Sequence, residues 1–126
     1  MTRNIVAART NTTAREIGTK LLIGNFNGIP VVDNNIKLIG IVTAVDIFQA
    51  IKQGKNLDSL RAIDIMTQNP KAVKQDTDIN EIIDIILQKD IMLVPVVDDK
   101  HKLIGLVGRP DILKQNLNQK FVTMTK

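Results

Sequence analysis

The chain is written twice. Sliding it along itself by 65 residues, the distance from Pro30 to Pro95, lays Gly28-Ile29-Pro30-Val31-Val32-Asp33 on Leu93-Val94-Pro95-Val96-Val97-Asp98. The same shift lays Lys37-Leu38-Ile39-Gly40-Ile41-Val42 on Lys102-Leu103-Ile104-Gly105-Leu106-Val107, Asp46-Ile47 on Asp111-Ile112 and Met1-Thr2 on Met66-Thr67, with no gap between them. A fold for this chain therefore has to accommodate one supersecondary unit twice, and so long a period in two copies implies a pseudo-twofold pair rather than a solenoid. Two related units imply two related sites, and the positions where the copies differ are where those sites have diverged.

Each copy reads as strand, helix, strand, strand, helix, which makes the chain an α/β protein. Residues 5–8 and 70–73 are short and extended, because Pro70 opposes helix. Thr13-Ala14-Arg15-Glu16 has the spacing of a capping box, with Thr13 as N-cap and Glu16 reaching back to the N-cap amide, and Asp78-Ile79-Asn80-Glu81 repeats the device. Ala14, Ile17 and Leu21, and then Ile79, Ile82, Ile83 and Ile86, recur at helical spacing and give each helix one buried stripe. Gly24 and Asn25 end the first of these helices. Two β-rich runs follow, Ile29 to Val32 and Leu38 to Val42 around Asp33-Asn34-Asn35. Their copies, Val94 to Val97 and Leu103 to Val107, flank Asp98-Asp99-Lys100, so both pairs read as hairpins. A closing helix puts Ala44, Ile47, Phe48 and Ile51 on one face, matched by Ile112, Leu113 and Leu117. The first unit then spans residues 1–54, the second 55–117, and a tail 118–126. Gly54 to Ser59 connects the copies and Leu60 to Ile65 opens the second. Phe121, Val122 and Met124 give the tail something apolar to dock with, on this subunit or another.

Composition narrows the function classes. A chain of 126 residues buries one working core. The absence of cysteine excludes disulfides and thiolate metal sites and fits a reducing compartment. No apolar run approaches the ~20 residues that span a bilayer, and the N-terminus lacks the order of a signal peptide. The expectation is a cytoplasmic protein without membrane association. A net charge of +4 suits anions, but the basic residues are scattered and the aromatics are limited to Phe26, Phe48 and Phe121. That is poor equipment for stacking on nucleic-acid bases, and nucleic acid is not an expected partner.

The chemistry concentrates where the hairpin runs into the closing helix, through Gly40-Ile41-Val42-Thr43-Ala44-Val45-Asp46. Gly40 lets a ligand or a neighbouring chain approach the backbone. Thr43 stands where the helix begins, and free amides at a helix start attract phosphate. Asp46, one turn in, has the chemistry to accept hydrogen bonds from both hydroxyls of a ribose. Thr43 and Asp46 also make a serviceable helix cap, which every helix needs. The second copy reads Gly105-Leu106-Val107-Gly108-Arg109-Pro110-Asp111. Gly108 tolerates the N-cap position and Pro110 suits a first turn. Asp111 persists after the threonine hydroxyl is lost, which argues for a role of its own, and Arg109 places a guanidinium where a phosphate can meet it or where it is simply solvated.

Two units of this order, each with an aliphatic-Pro-Val-Val-Asp strand and a Gly-aliphatic-Val strand leading to an aspartate in the first helical turn, resemble a pair of CBS domains, the arrangement called a Bateman module. The resemblance covers about residues 1–117. It implies tandem repeats packed with pseudo-twofold symmetry, and two clefts that take adenosine-containing ligands such as AMP, ADP, ATP, S-adenosylmethionine or methylthioadenosine. Carried over position by position, it gives Asp46 the ribose of one site and Thr43 its ribose or phosphate, with Val6, Ala7, Ile29 and Pro30 around the base. It gives Asp111 the ribose of the other site, with Lys71, Ala72, Val94 and Pro95 bordering the base and Arg109 reaching the phosphates. Val6, Ala7, Ile29, Ala72 and Val94 are equally ordinary core residues. Gly108 in place of threonine departs from the pattern and makes the two sites unequal.

The expected function is that of a regulatory sensor and not an enzyme. An adenine nucleotide is its ligand, no cofactor is required, and occupancy is signalled through a homodimer or an effector protein. The alternatives are a structural dimerisation module with decayed sites, or a binder of S-adenosylmethionine or methylthioadenosine. His101, the one histidine, falls in a hairpin turn without a second metal ligand near it in sequence. Asp33, Asp98 and Asp99 belong to turn chemistry, and no metal site is expected.

Overall fold

A computed structural model describes residues 6–89, 91 and 93–116. The duplication is visible as two three-stranded sheets with helices packed on them. Helix α1 (Ala14–Gly24) starts where the Thr13 hydroxyl accepts the Glu16 amide at 3.1 Å. The Glu16 carboxylate takes the Thr13 hydroxyl at 3.2 Å, and not the Thr13 amide as the capping-box spacing predicts. Asn25, at φ 54, stops the helix in the left-handed region, and the Phe26 amide returns to the Leu21 carbonyl at 3.0 Å. Strands β1 (Gly28–Val32) and β2 (Leu38–Thr43) form the first hairpin, and helix α2 (Ala44–Lys52) follows without a break.

The connection brings a short helix α3 (Ala62–Ile65) and two short strands, β3 (Thr67–Gln68) and β4 (Val73–Lys74). Helix α4 (Ile79–Lys89), strands β5 (Leu93–Val97) and β6 (Leu103–Gly108) and helix α5 (Arg109–Asn116) complete the second copy. Asp78 caps α4 by accepting the Asn80 amide at 3.2 Å.

The two hairpins share one register. Ile29 faces Val42 as Val94 faces Val107, Val31 faces Gly40 as Val96 faces Gly105, and the pairing slips between Val31 and Val32 as it does between Val96 and Val97. The leading strand is shorter than predicted in both copies. Residues 5–8 reduce, within the described chain, to a parallel bridge from Ala8 to Val31, and 70–73 gives way to β4, which pairs Val73 with Val96. Residues 57–68, assigned by the sequence to the second unit, pack on the first. Ala62 lies in the first core, Ala14 donates to the Leu60 carbonyl at 2.8 Å, and β3 joins the first sheet by pairing Thr67 with Ile41 and Gln68 with Gly40.

This placement settles what Gly40 is for. A Cβ there would lie 2.4 Å from the Met66 sulfur and 3.0 Å from the Thr67 carbonyl oxygen, so the glycine admits the neighbouring chain and not a ligand.

The cores follow the repeat. One gathers Ile17, Leu21, Ile29, Val31, Val42 and Ile47; a second gathers Val73, Ile82, Ile85, Ile86, Val94 and Val96. Val32 and Val97 alternate in direction with Val31 and Val96, and with their register partners Leu38 and Leu103 beyond the slip they form a third cluster shared by both copies. Beside it runs the pseudo-twofold axis, marked by a bridge between Lys37 and Lys102. Across the axis the Leu38 amide donates to the His101 carbonyl at 3.1 Å, and the Leu103 amide to the Ile36 carbonyl at 3.0 Å. Ile36 and His101 both stand at φ 65, a conformation costly for a β-branched side chain.

The closing helices bury less than the sequence predicts. In α2, Ile47 and Ala50 are buried, whereas Phe48 is 64% and Ile51 56% exposed. In α5, Leu113 is 56% exposed, and Leu117 lies outside the described residues. The tail residues Phe121, Val122 and Met124 lie outside them as well. No helix among the described residues is long and apolar enough to cross a membrane.

Candidate functional site

Both strand-to-helix junctions are built on a carboxylate that caps its own helix. The Asp46 Oδ2 accepts the Thr43 amide at 2.7 Å and the Thr43 hydroxyl at 3.1 Å. The Asp111 Oδ2 accepts the Gly108 amide at 2.7 Å. The capping role thus survives in the second copy without the threonine, because it runs through the backbone amide. Persistence of Asp111 needs no other explanation. In Asp46 the second carboxylate oxygen, Oδ1, takes no hydrogen bond from any described residue. The side chain is half-buried, so capping and presentation of a free acceptor are compatible at this position.

Next to this junction lies a cavity of about 550 Å³, a size suited to a small organic ligand. Its walls come from both copies. Asn27, Gly28, Ile41, Thr43, Ala44 and Val45 belong to the first, and Thr67, Pro70, Lys71, Ile91, Leu93 and Pro95 to the second or the connection before it. The cavity is mostly apolar, with the Thr43 and Thr67 hydroxyls and the Asn27 amide as polar points and Lys71 as the charged residue of the lining.

The structure therefore brings Thr43 together with Lys71 and Pro95, which the position-by-position reading places in different sites. Asp46 itself is not among the described residues that line this cavity, and the partners assigned to it and to Thr43 lie elsewhere. Ile29 is fully buried in the first core, as Val94 is in the second, and Pro30 is buried as completely. Ala7 and Ala72 pack on the axial cluster, and Val6 is 36% exposed without lining this cavity. Arg109 is exposed and borders a groove of about 310 Å³ between α4 and α5, with Ile83, Leu87 and Leu113. Asp111 is half-buried beside that helix start.

The sequence reading misses Asn27, Gly28, Ile41, Ala44, Val45, Thr67, Pro70, Ile91 and Leu93. A repeat offset identifies equivalent positions within the two copies but is silent about which copy faces which. The available hint is Met66-Thr67 repeating Met1-Thr2. That pair precedes the leading strand of each unit, and in the second copy Thr67 pairs with Ile41 of the first sheet.

At the hairpin turns, the Asp33 Oδ1 accepts the Asn35 amide at 2.8 Å and the Lys37 amide at 3.0 Å, and the Asp98 Oδ1 accepts the Lys100 and Lys102 amides at 2.9 Å. The bond from the Lys37 amide holds the Asp33 carboxyl below its ordinary pKa, and that from the Lys102 amide does the same for Asp98. These carboxylates are committed to the turns. Among the described residues no group of three His, Cys, Asp or Glu side chains gathers where a metal ion could be held.

Comparison with known proteins agrees with this architecture. The sequence profile of the CBS domain matches residues 1–53 and 62–118. An uncharacterized protein of Methanopyrus kandleri is 35% identical over 113 residues, covering 89% of this chain and 58% of that protein. The inosine-5'-monophosphate dehydrogenase of Methanocaldococcus jannaschii is 34% identical over 91 residues, 72% of this chain and 17% of the enzyme. The chain thus spans only part of the length of these relatives. Among solved structures, the CBS domain pair of protein MJ0100 in complex with 5'-methylthioadenosine and S-adenosyl-L-methionine superposes with a TM-score of 0.82 at 30% identity, over 91% of this chain and 90% of that one. The AMP complex of CBSX2, a protein of Arabidopsis thaliana, gives 0.81 at 25% identity over the same shares. With two matches that follow the internal repeat and a fold that superposes on CBS pairs, this chain belongs to the CBS domain family.

Proposed function

We propose that the chain is a regulatory module that binds an adenosine-containing ligand in the cavity between its repeats and passes occupancy on through its assembly or an effector protein. The observation that carries the reading is the cavity itself. Apolar walls for a base, Thr43 at the start of α2 and Lys71 from the second copy line one space that neither repeat forms alone, with Asp46 in the first turn of the same helix. The relatives at 25% identity and above with bound AMP, methylthioadenosine and S-adenosylmethionine support adenosine as the common element. The reading is of a sensor and not a catalyst, since no nucleophile paired with a base lines the cavity among the described residues. A purely structural module with decayed sites would not retain an open cavity between its repeats.

Self-association is part of the proposal. Leu22 and its repeat mate Leu87 are 81% and 74% exposed, and Phe48 and Leu113 are 64% and 56% exposed. The same apolar face is therefore left uncovered on α1 and α2 and again on α4 and α5, and a homodimer covers it.

A thermal-shift screen against AMP, ADP, ATP, S-adenosylmethionine and methylthioadenosine tests the reading. A ligand present at about 100 times its Kd adds about 2.7 kcal/mol and raises the unfolding midpoint by several degrees. No shift with any of the five at millimolar concentration contradicts it.

A further inference from the structure

Among the described residues, Lys71 is the single charged one in the lining of the inter-repeat cavity. Its backbone is fixed on both sides, by Pro70 before it and by the pairing of Val73 with Val96 just after. Its side chain makes no hydrogen bond or ion pair with any described residue, unlike Lys74 nearby, whose Nζ is held by Asp99 at 3.0 Å. Lys71 is exposed at the cavity's wall, so a cation stands at the cavity with no partner among the described residues. At the equivalent position of the first copy stands Val6, so the charge is particular to this cavity and not a product of the duplication.

We propose that Lys71 makes this cavity selective for an adenosine ligand bearing a phosphate, over the neutral thioether and the cationic sulfonium forms. The inference rests on the adenosine reading of the same cavity. An ammonium strengthens every hydrogen bond to a phosphate oxygen by its charge, does nothing for a thioether and repels a sulfonium. The three ligand types share the nucleoside, so discrimination among them falls on whatever meets the 5' substituent.

The test is a titration of AMP, adenosine, methylthioadenosine and S-adenosylmethionine into the full chain, Lys71→Gln and Lys71→Glu. The amide shifts of Thr43 and Val45, which line this cavity, report binding there. The wild type is expected to bind AMP about tenfold tighter than methylthioadenosine. Lys71→Gln removes that margin while leaving methylthioadenosine and adenosine unchanged, and Lys71→Glu puts S-adenosylmethionine ahead of AMP. Equal loss of AMP and methylthioadenosine in Lys71→Gln, or unchanged AMP affinity, overturns the proposal. Wild-type binding of methylthioadenosine as tight as AMP overturns the selectivity and leaves the adenosine reading standing. Binding of none of the four overturns both.

Discussion

Asp46 illustrates how one residue serves structure and site together. Its Oδ2 closes the start of α2 on the Thr43 amide and hydroxyl, while its Oδ1 takes no hydrogen bond from a described residue. Replacement by Ala removes both functions, so two losses are expected. Stability falls by about 1 kcal/mol, the usual value of a helix cap, measurable by urea unfolding. Adenosine-ligand affinity falls by roughly tenfold or more, because a hydrogen bond to a charged group contributes about 1.5–3 kcal/mol. Asp111→Ala should cost the same stability, since the Gly108 amide bond is equivalent. A ligand affinity untouched by Asp46→Ala would leave the aspartate with its cap alone. The sequence shows the cap and the carboxylate chemistry at this position, but not that they divide between the two oxygens. That division depends on where the amide of the preceding strand end points, which only the folded junction fixes.

At the scale of elements, the repeat makes most of the architecture legible. The Asp-led turns, the paired hairpin registers and the helix stops at Gly24 and Asn25 all follow from local residue chemistry. What stays hidden is contact between elements far apart in sequence. Gly40 looks the same whether a ligand or a strand approaches it, and β3 decides for the strand. Gly40→Ala should therefore destabilise by about 1–3 kcal/mol, the usual cost of overpacking, as Met66 and the Thr67 carbonyl are pushed back. An unchanged urea midpoint would mean that β3 is not held there.

The turns give a pH prediction. Asp33 and Asp98 have depressed folded-state pKa values, so their contribution is complete above the unfolded value of about 3.9 and is lost as pH falls through the lower folded values. In the Asp33→Asn, Asp98→Asn double variant the decline in stability below about pH 4 should be shallower than in the wild type. Parallel acid limbs in denaturant titrations would remove the turns from the account.

For the whole molecule, the decisive feature is that the repeats complete each other. The axial cluster of Val32, Leu38, Val97 and Leu103 belongs to neither copy, β3 leaves the second unit to finish the first sheet, and the cavity at Thr43 is walled by Leu93 and Pro95. None of this can be read from one repeat, because equivalence between copies carries no information about their mutual packing. The uncovered face on α1, α2, α4 and α5 extends the same logic to assembly. Light scattering should report a dimer, and Phe48→Glu with Leu113→Glu should give a folded monomer, since both residues are exposed in the single chain. A monomeric wild type at high micromolar concentration would contradict that.

The central claim is that the ligand occupies the cavity between the repeats, and Val45 offers the most direct test. It lines that cavity from the first turn of α2 and is 56% exposed, so a larger side chain fills the space without disturbing a core. Calorimetric titration of AMP should give micromolar binding to the wild type and at least about a tenfold loss in Val45→Trp, with an unchanged unfolding midpoint. Full AMP affinity in folded Val45→Trp would contradict the account.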